Sequence, residues 1–466
     1  MTKADSPSKG LRARPAFRCA ALLAATLAAS AGPAAAQADL GRNLPVVRDA
    51  EIEQLLREYA QPVLRTAGLA QQNIRVVIIN ERSFNAFVAD GHRIFINTGA
   101  LMESETPNQI IGVLAHETGH IAGGHLAKMR EQLANASTQS ILATILGVGA
   151  MIATSRSGVN TQNAGMAAIT APQEMIQRSL LAYQRAQEEQ ADRAGVKFLT
   201  ATGQSPKGMY DTFKRLADQI MFMARSADPY VQSHPMPAER VASLANLAQA
   251  SPYWDKKDSP ELQLRHDFMR AKLFGFLDRP ETVARRYPAS DTSLAARYAR
   301  AISAYRHSDL RVAIAQIDGL IQSQPNNPYF YELKGQALLE GGKAAEAIAP
   351  LQRAVQLAPN PSLIQVMLGQ ALIATNNPKL AEQAVNLLRE ALAREPEVPD
   401  GYTQLAIAYG RKGDLAQADL ASAQAAAARG DMQTARDLAT RAKTRFPVGT
   451  PGWVKADDIV ASKQGK

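Results

Sequence analysis

The residues of this sequence best suited to chemistry are His116-Glu117-Thr118-Gly119-His120, two imidazoles one helical turn apart with a carboxylate beside them. On a helix, residues four apart share a face, so both rings can reach one cation while Glu117 serves an adjacent water as general base. The chain holds only 7 histidines in 466 residues, so this spacing stands out as a metal-site signature. A catalytic zinc takes three protein ligands and keeps one position open, and two routes lead to the third ligand. The extended pattern H-E-x-x-H-x-x-G-x-x-H finds Gly123 but has Leu126 in its last place. His125 is one residue early and turned away on a continuing helix, which makes it a polar residue packed at the helix end. The other route takes a carboxylate from a later helix, where Glu188-Glu189-Gln190-Ala191-Asp192 forms an acidic cluster. Spacing does not choose among its members, although Glu188 and Asp192, four apart, could divide the work between ligating and holding a ligand histidine.

The elements that must carry these residues follow from periodicity. Ile52, Leu55, Leu56, Tyr59, Val63 and Leu64 recur at helical spacing within 48–67. Ile74–Ile79 and Arg93–Asn97 are short β-branched segments, the second following the turn signal Asp90-Gly91, and together they predict a small antiparallel sheet. Pro107 marks a helix start, and Ile110, Ile111, Leu114, Ala115 and Ile121 give the histidine-bearing helix its apolar face. Residues 140–153 are almost wholly apolar yet shorter than a bilayer span, and 154–172 are rich in Gly, Ser, Asn and Thr. A buried helix followed by a loop is expected, either as plain core or as a plug over the site. A third helix is expected from Met175 to about Thr200.

The first 36 residues read as a cleaved export leader: Lys3, Lys9, Arg12, Arg14 and Arg18 head an apolar stretch from Cys19 to Ala31, and Ala34-Ala35-Ala36 offers a small-residue cleavage site. Cys19 is the chain's 1 cysteine, so the remainder excludes disulfides, thiolate ligands and a cysteine nucleophile. Export without cysteine points to a bacterial periplasm. The formal net charge of +9 falls once the leader is set aside, and no Lys/Arg run interleaved with aromatics supports nucleic-acid binding.

Beyond the polar, proline-bearing stretch 251–260 the sequence repeats. Prolines at 288, 325, 359 and 396 recur at close to the 34-residue period of a helix-turn-helix repeat. In the central unit Gly335, Ala347, Leu351, Ala354 and Pro359 fall at its packing positions. Ala301, Ala313, Ile317, Leu320 and Pro325 take those places before it, and Gly369, Ala384, Leu388, Ala391 and Pro396 after it. Small residues are needed where paired helices approach closely, and each unit buries its apolar face against the next. Ala-rich helices over 402–446, broken at Gly430-Asp431, close the array, and 448–466 is expected to be a tail. The expected division is a leader at 1–36, a catalytic domain at 37–255, a tetratricopeptide-repeat domain at 256–447 and the tail.

H-E-x-x-H, then E-x-x-A-D, then Ser233-His234-Pro235 with Arg240 downstream, resembles the M48 family of zinc metallopeptidases. The order of leader, protease motifs and repeats, spanning most of the chain, is most similar to that family's periplasmic members. The resemblance implies an α+β zincin-like domain, mostly helical with a small sheet, followed by an all-α repeat solenoid. It implies one Zn2+ held by His116, His120 and Glu188, with Asp192 behind a ligand histidine and Glu117 as the base. It sets His234 and Arg240 at the open side of the metal, stabilising an oxyanion, or with His234 as a fourth, inhibitory ligand. Asn85 and the strand Arg93–Asn97 would form the substrate-binding edge. The implied activity is zinc-dependent cleavage of unfolded or stalled outer-membrane β-barrel proteins by an enzyme that is soluble or at most peripheral to a membrane. The implied partners are the β-barrel assembly machinery and the lipopolysaccharide export barrel. The competing expectation is a repeat-based chaperone or adaptor with a latent zinc site, and cleavage of cell-wall peptides is a third.

Overall fold

A computed structural model describes residues 44–135, 162–222, 230 and 233–462. The expected leader and the apolar stretch 140–153, with its plug role, lie outside the described residues.

Strand β1 (Val46–Val47) leads into α1 (Ala50–Thr66), whose first turn is fixed by Asp49 accepting from the Ile52 N–H and by two acids, Glu51 and Glu53, at the positive end of the helix dipole. The face read from the sequence is the buried one: Ile52, Leu55, Leu56, Tyr59 and Val63 are each no more than 2% exposed. Three further strands follow, β2 (Arg75–Ile79), β3 (Ala86–Val88) and β4 (Arg93–Asn97), and the sheet order is β1-β2-β4-β3. The expected antiparallel sheet is in fact mixed, because β2 and β4 run parallel while β1 and β3 are antiparallel to their neighbours. The cause is the turn at Asp90-Gly91, where Gly91 takes φ of 81° and Asp90 accepts from the His92 and Arg93 N–H groups. It folds β4 back between β3 and β2, which leaves the short β3 at one edge and β1 at the other.

Helices α2 (Thr98–Glu103) and α3 (Pro107–Ala122) come next. Helix α3 touches α1, β3 and β4 on one side and the two later helices α4 (Gln162–Ala201) and α5 (Lys207–Phe222) on the other. Two glycines make this approach possible: a Cβ on Gly112 would lie 2.6 Å from the Met209 backbone, and one on Gly119 would lie 2.8 Å from the Ala191 carbonyl oxygen. Helix α4 starts well before the expected Met175. Its Gly165 and Pro172 read as loop residues, but an established helix propagates through local costs of about 1 and 3 kcal/mol.

Helix α6 (Ala238–Gln249) completes this part, and α7 (Pro260–Leu277) ties it to the repeats. Met269, Leu273 and Phe274 of α7 belong to the core around α1 and α3, while Phe268 and Ala271 belong to the repeat core. After the short α8 (Pro280–Arg286) come helix pairs α9 (Leu294–His307) with α10 (Leu310–Ser323), α11 (Pro328–Glu340) with α12 (Ala344–Leu357), α13 (Ser362–Ala374) with α14 (Pro378–Arg394), and α15 (Pro399–Arg411) with α16 (Leu415–Ala428). Gly335 and Gly369 sit where a Cβ would meet Leu351 and Leu388 of the paired helix at 2.4 and 2.8 Å, as the repeat pattern requires. The expected tail is instead helix α18 (Pro451–Ala461), packed on α16 and α17 (Met432–Arg445). Thr450 accepts from the Trp453 N–H and Pro451 occupies the first turn, a helix start, while Ala456, Ile459 and Val460 cover the last apolar face of the array. Pro45–Lys466 form one compact unit.

Candidate metal centre

Helix α3 presents His116 and His120 on one face, with their Nε2 atoms 3.0 Å apart. Glu188, on α4, brings Oε2 to 3.4 Å from His116 Nε2 and Oε1 to 3.5 Å from His120 Nε2. His234 closes the group, its Nδ1 lying 3.3 Å from His116 Nε2 and 3.0 Å from Glu188 Oε2. One donor atom from each of the four residues falls within 4.8 Å of all the others. Donors bound 2.0–2.1 Å from one tetrahedral zinc are separated by roughly 3.3 Å, so the set fits such an ion. Of the acidic cluster, Glu189 is exposed and pairs with Arg193 at 2.7 Å. Glu188 is thus the carboxylate brought to the histidines.

Behind the donors, Asp192 Oδ1 lies 2.9 Å from His116 Nδ1. Arg240, from α6, donates to both Asp192 oxygens at 2.7 and 2.9 Å and to the Pro235 carbonyl at 2.9 Å, and its Nη1 lies 3.0 Å from Glu188 Oε2. The guanidinium therefore braces the two carboxylates, where the resemblance had set it facing a substrate oxyanion. Two buried carboxylates on adjacent turns need such a counter-charge. Burial raises the Asp192 and Glu188 carboxyls, but Arg240 and His116 together at the first, and His234, His116 and His120 together at the second, outweigh it, and both end below their usual values. Burial pushes His120 down to about 3, while Asp192 and Glu188 overcome burial at His116 and raise it to about 9. The carboxylates thus hold a proton on His116, and a divalent cation, which needs the neutral ring, would take that proton's place.

Glu117 is 1% exposed, and its Oε1 lies 3.5 Å from the Tyr230 hydroxyl and 3.6 Å from His234 Nε2. Its Oε2 is buried with no hydrogen-bond partner among the described residues. Burial raises its pKa, as suits a group that must take up a proton.

Two residues were missed as parts of this site. His125 returns to it because the helix breaks at Gly123 and at Gly124, which has φ of 62°. The break carries His125 Nδ1 to 3.0 Å from His120 Nδ1 and its Nε2 to 3.3 Å from Gln190 Oε1. The Gly-Gly pair was the available signal. Tyr230 stacks on His234, with ring centroids 4.5 Å apart and planes at 28°; a lone tyrosine four residues ahead of His-Pro gave no signal of its own. Asn85 lies just ahead of β3. Its carbonyl accepts from the Asn97 N–H at 2.9 Å, and its side-chain oxygen is buried without a partner among the described residues. The strand Arg93–Asn97, expected to be the edge, is paired on both sides; the edge next to it belongs to β3, which the hairpin turn sets outside it, and β1 forms the opposite edge.

A sequence model described as Peptidase family M48 matches residues 47–248, and one described as Tetratricopeptide repeat matches 298–360. The chain is 25% identical over 416 residues to the β-barrel assembly-enhancing protease of Yersinia pestis, covering 88% of this chain and 82% of that one. It is 24% identical over 419 residues to the protein of that name from Escherichia coli K12, with the same coverage. To metalloprotease YcaL of Escherichia coli K12 it is 26% identical over 245 residues, 50% of this chain and 83% of that protein. These matches span the elements from β1 to α6 that gather the donor group: residues 47–248 are a metalloprotease domain of peptidase family M48, and tetratricopeptide repeats follow it in the same chain.

Proposed function

We propose that this chain is a periplasmic zinc endopeptidase that degrades misfolded or stalled outer-membrane β-barrel proteins and supports their assembly. The observation that carries the reading is the four-donor group of His116, His120, Glu188 and His234 with Glu117 beside it. In this reading His116, His120 and Glu188 hold the zinc, and His234 fills the fourth position at rest. Asp192 holds His116, Arg240 holds the two carboxylates, and the edge of β3 beside Asn85 binds an extended substrate through main-chain hydrogen bonds. A Zn2+ in this site supplies Lewis acidity to the peptide carbonyl and makes water acidic near neutral pH. Glu117 takes a proton from the attacking water and returns it to the leaving amine. We assign 1–36 to the leader, 37–255 to the peptidase and 256 onwards to the repeats. The docking of clients, of the β-barrel assembly machinery and of the lipopolysaccharide export barrel belongs to the repeats. Among the described residues no helix is long and apolar enough to cross a membrane. The names of the Yersinia pestis and Escherichia coli relatives support the choice of substrate.

One feature favours a second reading. A donor group already complete with four residues resembles a closed structural site, as a repeat-based chaperone with a latent centre would have. The deciding experiment is zinc-dependent cleavage of an unfolded outer-membrane barrel protein by the native, His234→Ala and Glu117→Gln forms. Cleavage by the native or His234→Ala form that disappears in Glu117→Gln establishes the peptidase, with His234→Ala expected to be the faster. Zinc-loaded protein inactive in all three forms, with assembly support intact in Glu117→Gln, establishes the chaperone.

A further inference from the structure

Away from the metal centre, the junction of the peptidase with the repeats buries a group of charges that does not balance. Lys272, on α7, places Nζ 2.8 Å from Asp49 Oδ2, 3.2 Å from Glu51 Oε2 and 3.7 Å from Glu332 Oε2. Lys272, Glu51 and Glu332 are 4%, 6% and 7% exposed. Tyr298 donates its hydroxyl to Glu51 at 2.9 Å, and Asp49 is engaged at the α1 cap. Glu332 is left over: its Oε2 is buried with no hydrogen-bond partner among the described residues. Three carboxylates share one ammonium, and burial together with the neighbouring acids raises the Glu332 carboxyl. A proton there stands where a second cation would serve better.

Glu332 lines a cavity of about 450 Å3, within the usual size for ligand sites. Its walls are apolar, from Phe276 on α7, Leu333 on α11, Val366 and Met367 on α13, and Val398 ahead of α15. The other charges at the cavity are already matched, Arg48 by Glu53 and Glu395, and Asp400 by Arg429. Gln336 and Gln370 also line it. They occupy the same position in successive repeats, each directly after the close-approach glycine, Gly335 or Gly369. Side-chain amides repeating along a solenoid can pair with the amides of an extended chain, since each offers both a donor and an acceptor.

We infer that this cavity binds an extended peptide segment, apolar on either side of one lysine or arginine whose cationic end pairs with Glu332. Gln336 and Gln370 align the peptide backbone, and the apolar walls take the flanking side chains. The site rests on the reading of the repeats as the client-docking part, but it does not require proteolysis, so its failure would leave the peptidase reading standing.

The test uses the full chain carrying Glu117→Gln, which prevents cleavage, and two fluorescein-labelled eight-residue apolar peptides that differ only in a central lysine or norleucine. Fluorescence anisotropy is expected to show the lysine peptide binding at least about tenfold more tightly, as a charge-assisted hydrogen bond warrants. Adding Glu332→Gln should bring the two affinities together. Adding Gln370→Ala should weaken both peptides alike, which keeps the test informative if the Glu332 variant folds poorly. Equal binding of the two peptides, a lysine preference that survives Glu332→Gln, or binding of neither peptide overturns the proposal. Spermidine that displaces the lysine peptide, combined with no effect of Gln370→Ala, also overturns it by assigning the cavity to a free amine.

Discussion

Asp192 Oδ1 lies 2.9 Å from Nδ1 of His116, the ring nitrogen opposite the one that faces His120, Glu188 and His234. The carboxylate thereby fixes the tautomer that leaves Nε2 with a lone pair for a metal, and Arg240 holds the carboxylate in turn. Asp192→Asn keeps the volume but loses the charge and one acceptor. Zinc affinity should fall about 10- to 100-fold, measured by competition with a chromophoric chelator, and saturating zinc should restore part of the proteolysis. An unchanged affinity would mean that Asp192 matters only to folding.

His120 has a weaker support. His125 Nδ1 stands 3.0 Å from His120 Nδ1, but His120 is partly exposed, with 13% of its side chain accessible, so water can take over the hydrogen bond. His125→Ala should therefore lower zinc affinity by less than Asp192→Asn does, in the same chelator competition. The reverse order would place the main support of the site at the end of α3.

Closeness of helices matters as much as the ligands. A Cβ on Gly119 would lie 2.8 Å from the Ala191 carbonyl oxygen and 3.0 Å from its Cα, and backbone cannot swing aside. Gly119→Ala should push α4 away from α3 and with it Glu188. The gain in helix propensity of about 1 kcal/mol is smaller than an overpacking cost of about 1–3 kcal/mol. Chemical denaturation should show net destabilisation, and zinc should be held more weakly. Gly410, in α15 with nothing within 4 Å of an added Cβ, is the control, and Gly410→Ala should stabilise. Equal effects of the two substitutions would contradict the packing argument.

Local rules explain what could be read in the chain. His116, Glu117 and His120 sit within one turn, so their spacing alone gives their shared face, and the repeat positions from Gly335 to Ala354 follow from a period. The sheet was harder. β3 is three residues long, too short for alternation to register, and without it the parallel pairing of β2 with β4 has no cause in the sequence. The place of Arg240 was illegible for another reason: which of several partners a guanidinium takes is decided by α4 and α6 meeting in space. His125 was misplaced because its direction depends on where α3 stops, and the Gly123-Gly124 break turns it inward. The C-terminal segment is a helix and no tail because Thr450-Pro451 is a start signal that a reading by repeat period alone passes over.

His266, on α7, is wholly buried between the two parts of the molecule. Its Nε2 donates to the Ser104 carbonyl at 2.8 Å, and its Nδ1 is 3.2 Å from the Tyr59 hydroxyl, which donates to it. The bond accepted by Nδ1 needs the neutral ring, and burial, aided by Arg270, pushes the pKa down to about 4 although the Ser104 carbonyl favours the charged form. The unfolded chain, with an ordinary histidine pKa near 6.5, binds more protons than the folded one between those values. Stability from this residue is thus fully present above about pH 6.5 and is lost as pH falls towards 4, with a slope of at most about 1.4 kcal/mol per pH unit. His266→Gln keeps a donor and an acceptor but cannot titrate. Urea denaturation at pH 7.5, 6.0 and 5.0 should therefore show the native form losing more stability than the variant as pH falls. Parallel losses in the two forms would mean that His266 stays neutral in the unfolded chain as well, or that acid acts through other groups alone.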